Sequence, residues 1–393
     1  MPSAPTSDSV PSAALGQPSG VPAVDLHEFL ADLERLVQVE SPSTDRDAVA
    51  RSARVVADVV ERRLGRRPEI VRVDGVDHVV LRGCDSQVLL LGHHDTVWPI
   101  GTLADLPFSV EDGVVRGPGC FDMLVGVVQV VHALALLRAR HGDTVLDRVT
   151  VLVTGDEEIG STTSRGLIET EASGCRAALV LEAAGPGGAL KTQRKGVSLY
   201  ELEVLGRAAH SGLEPERGVN ATLGVAELVL ALADLADPAV GTTVTPTLMA
   251  SGTAANTVPA RATVAVDVRA RTVAEQERVD TAVRALSVGV AEAIVVVHGG
   301  INRPPLEAAA SGDLFARAAR LAADLGQPPL TSMAVGGASD GNFTAGAGVP
   351  TLDGLGAVGG GAHARDEHAE VAWITPRAEL LAALVLDLVS DGS

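Results

Sequence analysis

The sequence predicts an α/β protein in which a mixed, mainly parallel sheet is covered by helices and a ferredoxin-like α+β domain is inserted into it. Three observations carry this reading. Strand-length apolar runs alternate with helix-length amphipathic stretches over residues 24–194. The order becomes strand-helix-strand-strand-helix-strand over 195–306, and the first pattern resumes over 307–393. A chain of 393 residues also exceeds what one ordinary core accommodates, so two domains are expected.

The elements follow in chain order. Residues 1–23 are rich in Pro, Ser, Ala and Gly, and this composition predicts a disordered tail. Leu26, Leu30, Leu33, Leu36 and Val37 mark one helical face, and Val49 to Leu64 reads as a second helix. Strands are expected at Val79–Leu81, Val88–Leu91, Val149–Val153 and Ala177–Leu181, with a helix between Met123 and Arg140. In the inserted segment, Ser198–Leu205, Thr243–Met249, Thr263–Val268 and Ala293–Val297 read as strands. Asn220–Leu235 and Val273–Leu286 read as its helices. After Pro305 come a helix from Ser311 to Leu325, strands at Met333–Val335 and Pro350–Leu352, and a final helix from Thr375 to Val389.

Composition narrows the classes of function. A formal charge of −19 argues against nucleic acid or anionic membrane as partner, because phosphate binding needs clustered Lys and Arg. Cys84, Cys120 and Cys175 are too few and too scattered for a disulfide framework or a CxxC metal site, which fits a reducing compartment. The N-terminal stretch lacks the basic start and apolar run of a signal peptide, so a cytoplasmic location is expected.

Polar residues gather where the strands end. His93, His94 and Asp95 follow Leu89–Leu91; Asp156, Glu157 and Glu158 follow Val151–Val153; Glu182 follows Val180-Leu181. Asp122 is expected to open a helix after the turn Gly117-Pro118-Gly119, and His363 follows Gly359-Gly360-Gly361-Ala362. A single His after a strand is usually a solvated loop residue, and Glu157-Glu158 alone reads as an exposed acidic turn. The Gly-rich turn lacks the Lys and Ser/Thr of a phosphate loop. The joint pattern is different: imidazoles and carboxylates converging from separate loops at one sheet edge are what a metal site needs.

These motifs resemble those of the zinc metallopeptidases that include carboxypeptidase G, acetylornithine deacetylase, succinyl-diaminopimelate desuccinylase and aminoacylase. The resemblance runs from about Leu26 to Leu388. It rests on the H-x-D of His93 and Asp95, the G-x-G-x-x-D ending at Asp122, the D-E-E of Asp156 to Glu158, Glu182, and the G-A-H at His363. Gly336 to Asp340 and the turn Gly354-Leu355-Gly356 look most like the carboxypeptidase G branch.

The resemblance implies two zinc ions per chain, with Co²⁺ or Mn²⁺ as substitutes. His93, Asp122 and Glu182 would hold one; Asp122, Glu158 and His363 would hold the other, with Asp122 bridging. Asp95 would fix the tautomer of His93 through its far nitrogen, and Glu157 would be the general base. The segment 195–306 is similar to the family's dimerisation lid, which implies a homodimer. His210, in Gly206-Arg207-Ala208-Ala209-His210-Ser211-Gly212, matches the lid His that reaches the partner's site and donates to the scissile carbonyl. Asn256 matches a second polar contact, and Arg269 the Arg that grips the substrate carboxylate, with Arg303 a further candidate for that task.

One departure stands out. Where the family usually has Asp-x-Lys-Gly, this chain has Asp122-Met123-Leu124-Val125-Gly126, which is expected to remove a nearby cation and a close-packing glycine. His27, His78, His94, His132, His141, His298 and His368 match no motif and read as structural or solvated.

The function implied is hydrolysis of an amide bond beside a free carboxylate in a small peptide or N-acyl amino acid. A carboxypeptidase releasing a C-terminal amino acid, glutamate by branch resemblance, is the leading expectation. An N-acyl-amino-acid deacylase of the acetylornithine or succinyl-diaminopimelate type needs the same machinery. A catalytically silent dimeric binding protein on the same scaffold is the reading from another class; the presence of Glu157 and every ligand position argues against it.

Overall fold

A computed structural model describes residues 24–390, and the tail expected over 1–23 lies outside them. The principal sheet has the spatial order Glu69–Val73, Val76–Arg82, Val149–Thr154, Val88–His93, Ala177–Val180, Thr351–Leu352. The last four of these strands run parallel, while the first two attach as an antiparallel hairpin. Val88–His93 and Val149–Thr154 are buried along their whole length, because helices cover both faces. Their alternate residues still separate: Val88 and Leu90 enter the larger core, Leu89 and Leu91 the smaller one opposite.

The larger core packs Leu26–Val37, Arg46–Leu64, Val125–His141, Ala308–Asp324 and Val371–Ser390 against the sheet. Asp25 and Asp45 cap the first two helices by accepting two backbone N–H groups each, which starts the second helix at Arg46 and not at Val49. Helix Val125–His141 is apolar on every side and sits at the centre of this core. Arg165–Ala172 and the short helix Gly341–Gly346 cover the opposite face.

The inserted segment forms a four-stranded antiparallel sheet ordered Thr243–Ser251, Arg261–Ala270, Gly196–Leu205, Ile294–Arg303. Helices Ala221–Ala233 and Val273–Arg284 pack on one face of it, giving the ferredoxin-like arrangement. Burial alternates strictly along Arg261–Ala270, as one covered face requires. The chain passes between the two bodies near Lys195 and near Pro304. The amide of buried Asn342 donates to Lys195 O (3.1 Å) and to Pro304 O (2.7 Å), tying both crossings to the larger domain.

Two small sheets complete the fold, and of their strands only the one near Met333–Val335 is expected from the sequence. Ser109–Glu111, Val114–Arg116, Gly359–Gly360 and His368–Glu370 form one, and Leu190–Arg194 pairs with Ser332–Val335 in the other. The strands of the first, two or three residues long, carry no readable periodicity, and Leu190–Arg194 in the second is too polar to read as a strand.

Candidate metal centre and active site

The carboxyl ends of three adjacent parallel strands deliver most of the site. His93 is the last residue of its strand, Asp156–Glu158 follow Val149–Thr154, and Glu182 follows Ala177–Val180. Asp122 arrives on the turn after Val114–Arg116, and His363 on the loop after Gly359–Gly360. The helix expected to begin at Asp122 starts three residues later, at Val125. Asp122 itself has φ −118° and ψ 95°, an extended backbone that turns its carboxylate towards the strand ends.

The five expected ligands converge. Asp122 Oδ1 lies 3.4 Å from His93 Nε2, and its Oδ2 lies 3.5 Å from His363 Nε2. Glu182 Oε1 is 3.7 Å from His93 Nε2, and Glu158 Oε2 is 3.2 Å from His363 Nε2. Asp122 thus faces one imidazole with each oxygen, the placement a bridging carboxylate needs. Among the described residues, His93 Nε2 and Glu158 Oε1 are buried without a hydrogen-bond partner. Buried polar atoms aimed at other ligand types and left unpaired fit a divalent cation between them.

Electrostatics agrees. Burial opposes charge on His93, yet Asp122 and Asp95 outweigh it and raise the imidazole well above its usual range. Asp122 and then Glu158 raise His363 to about 10. Burial works against ionised Asp122, but His363 and His93 hold its carboxyl far below the ordinary value. Burial and the Asp122 charge push Glu182 up to about 7. Without metal, the cluster balances its carboxylates with protons, and a bound cation takes over that task.

Asp95 does its work in an unexpected way. His93 Nδ1 lies 2.9 Å from the main-chain oxygen of Asp95 and 3.5 Å from its Oδ1. A carbonyl only accepts, so Nδ1 carries the proton and Nε2 keeps its lone pair for a metal. The Asp95 carboxylate instead accepts from Ser43 Oγ (2.6 Å) and from the N–H groups of Glu157 and Glu158 (3.2 Å each). It therefore fixes the turn that presents Glu157 and Glu158.

Glu157 borders the same space, since its carboxylate, His93 and Glu182 also offer atoms within 4.8 Å of one another. Its Oε1 is held by Arg303 Nη2 at 3.0 Å, which leaves it a carboxylate beside the ligands with a partner of its own. Burial lifts the Glu157 carboxyl well above the usual range, with Arg303 opposing. Arg303, expected at a substrate carboxylate, is turned inward: its Nη2 also meets Glu157 O (3.2 Å), Ser161 Oγ (2.6 Å) and Asp340 Oδ1 (3.2 Å). The protein's own acceptors occupy it.

The lid candidates lie apart from this cluster. His210 is exposed, and its Nδ1 accepts from the N–H groups of Gly212 (3.1 Å) and Leu213 (3.2 Å). This arrangement puts the proton on Nε2, which is then a hydrogen-bond donor facing outward. Exposed Asn256 lies alongside, its carbonyl accepting from Ser211 N–H (3.0 Å). Arg269 makes a two-pronged pair with Asp267 through Nε and Nη2 (2.8 Å each).

The departure after Asp122 costs less than expected. Leu124 is 1% exposed and packs in the larger core, so its side chain does not face the ligands. A Cβ on Gly126 would stand 2.0 Å from Leu181 O, so the close-packing glycine is present one position further on. Cations reach the site by another route. Buried Arg194 pairs with Asp353 (2.7 and 3.1 Å) and brings Nη2 within 3.6 Å of Glu182 Oε2. Lys191, lowered chiefly by burial, sits close enough to feel Glu182 and Asp122. Glu367 was also missed: its buried carboxylate accepts from the backbone of Gly119, Phe121 and Asp122. Arg194 sits at the end of Leu190–Arg194, whose mostly polar sequence does not read as a strand, and nothing local marks Glu367.

The family model described as Peptidase family M20/M25/M40 matches residues 89–387. Carboxypeptidase G2 of Pseudomonas sp. (strain RS-16) is 30% identical over 370 residues, covering 91% of this chain and 88% of that protein. A succinyl-diaminopimelate desuccinylase of Methylorubrum populi is 30% identical over 322 residues, covering 74% of this chain and 79% of its own. Among solved structures, the YXEP protein of Bacillus subtilis, described as a dinuclear metal binding peptidase, superposes with a TM-score of 0.64 at 16% identity. The match covers 93% of this chain and 99% of that one.

Proposed function

The chain belongs to peptidase family M20/M25/M40, a family of metallopeptidases and amidohydrolases, and from that premise we propose that it is a two-zinc hydrolase releasing the C-terminal amino acid from a small peptide or N-acyl amino acid. One observation supports this above all others: the two oxygens of Asp122 face His93 at a strand end and His363 on a distant loop, with Glu157 alongside. His93, Asp122 and Glu182 would hold one ion, and Asp122, Glu158 and His363 the other. Zinc bound there supplies Lewis acidity for the scissile carbonyl and acidifies the attacking water. Glu157 takes the water's proton and passes it to the leaving nitrogen. The similarity to carboxypeptidase G2 over most of both chains favours glutamate as the amino acid released.

The composite site is part of the same reading. The edge strand Thr243–Ser251 exposes Leu248 (74%) and Met249 (61%), and helix Ala221–Ala233 exposes Leu223 (58%) and Leu230 (71%). An unpaired strand edge beside an apolar helix face fits a second copy across a two-fold axis. His210 Nε2 then donates to the substrate carbonyl in the partner's site, while Asn256 makes a second polar contact and Arg269 grips the substrate carboxylate.

A release assay tests the proposal. N-acyl amino acids, with N-acylglutamates first, and dipeptides are offered with free and amidated carboxylates, with and without a chelator. Free-carboxylate substrates are expected to be cleaved, the amidated ones spared, and cleavage lost to chelator. Preference for N-succinyl or N-acetyl substrates over peptides would favour the deacylase alternative, to which the desuccinylase match lends weight. Chelator-insensitive cleavage, or equal cleavage of amidated substrates, would count against both.

A further inference from the structure

We propose that Glu367 is a positioning residue that ties the loop carrying His363 to the turn carrying Asp122 and to the segment that follows His93, and so sets the spacing of the metal centre. This inference rests on the two-metal reading above.

Glu367 is 4% exposed, and each of its carboxylate oxygens takes two donors. Oε1 accepts from Phe121 N–H (2.9 Å) and Asp122 N–H (3.1 Å), so it grips the backbone of the bridging ligand itself. Oε2 accepts from Gly119 N–H (2.9 Å) and from Trp98 Nε1–H (2.6 Å). Trp98 lies on the loop that leaves His93. The Asp122 turn already rests on that loop: a Cβ on Gly119, where φ is +74°, would stand 2.4 Å from Thr96 Cγ2. Glu367 fastens the contact from the other side.

The third loop is the one that needs the anchor most. His363 has φ +61° and half its side chain is exposed, and residues 362–366 are exposed around it. Two short turns, Ala364 N to Gly361 O and Glu367 N to Ala364 O (2.9 Å each), connect His363 rigidly to Glu367. The one buried side chain of this stretch therefore docks an otherwise exposed ligand loop onto the Asp122 turn. Four charge-assisted or backbone hydrogen bonds to one carboxylate make a strong and directional joint. His93 and Glu182 stand at strand ends and do not depend on it. The centre formed by Asp122, Glu158 and His363 does.

The test uses metal-free full-length protein titrated with Co²⁺, reading stoichiometry, affinity and the visible d–d bands. Glu367→Gln is nearly isosteric, but its amide group must face backbone N–H donors and breaks one side of the joint. One of two binding steps is expected to weaken 10–100-fold with an altered d–d spectrum, while the other step, which shares only Asp122 with the joint, weakens less and metal-free thermal unfolding changes little. Trp98→Phe removes one donor only and should weaken the same step by a smaller factor, with two ions still bound at saturation. Glu367→Asp keeps the charge and should fall between. Loss of both steps together with a lowered unfolding midpoint would mark Glu367 as a general fold residue and overturn the proposal. So would cobalt titrations of Glu367→Gln and Trp98→Phe that match wild type. Wild-type protein that binds fewer than two cobalt ions would overturn the two-metal reading, and this inference with it.

Discussion

Glu157→Gln is expected to lower kcat by about two to four orders of magnitude while both metal ions remain bound. The substitution keeps size and shape, and Arg303 can still hold the amide oxygen where it now holds Glu157 Oε1 at 3.0 Å. Asp95 still grips the backbone of residues 157 and 158, so the neighbouring ligand Glu158 stays in place. What disappears is the one carboxylate beside the ligands that is free to move a proton. The wild-type pH profile should carry the same signature. Burial raises the Glu157 pKa, so the base form is lost as pH falls through a value above the ordinary carboxylate range. Activity should therefore fall on the acid side earlier than an exposed glutamate would dictate, and that limb should vanish from the residual activity of Glu157→Gln. Wild-type turnover in the variant would mean that the base lies elsewhere.

Mixing two inactive variants, His210→Ala and Glu157→Gln, is expected to restore activity. His210 stands on the inserted domain, with its donor nitrogen Nε2 free and its other nitrogen fixed by Gly212 and Leu213. In a heterodimer one composite site would have an intact base from one chain and an intact His210 from the other. The second site would lack both. With full subunit exchange, about a quarter of all sites should be intact. Native mass spectrometry establishes that exchange has occurred, and the release assay reads the outcome. Confirmed heterodimers without activity would place His210 in its own chain's site, or outside the reaction.

The sequence pointed to the candidate metal ligands because several of them stand at an edge where the pattern breaks. An apolar strand run stops and a His or acid follows, as at His93, Glu158 and Glu182, and the joint occurrence is informative even though each member is not. The two domains were legible for a related reason: long amphipathic helices and alternating strands such as Arg261–Ala270 announce their period. What escaped reading depends on contacts between distant residues. Glu367 meets Gly119 across 248 positions, and Arg194 meets Asp353 across 159. Neither residue differs locally from a solvated charge. Arg303 reads as a candidate for the substrate carboxylate, yet the fold buries it against Glu157 and Asp340. The helix boundary at Asp122 failed for another reason. Propensity allows a helix there, but the ligand's backbone is held extended by the site it serves. Leu124 shows the reverse error, in which a position beside a ligand in sequence faces away from it in space.

The central claim is that this chain hydrolyses amides with two metal ions bridged by Asp122. Its most direct test is to strip the protein of metal, add zinc back in measured equivalents, and follow release from the best substrate of the panel. Activity is expected to require the second equivalent, and diffraction at the zinc edge should then show two ions per chain about 3.5–4 Å apart. Full activity with no zinc, or a single ion at saturation, would contradict the account.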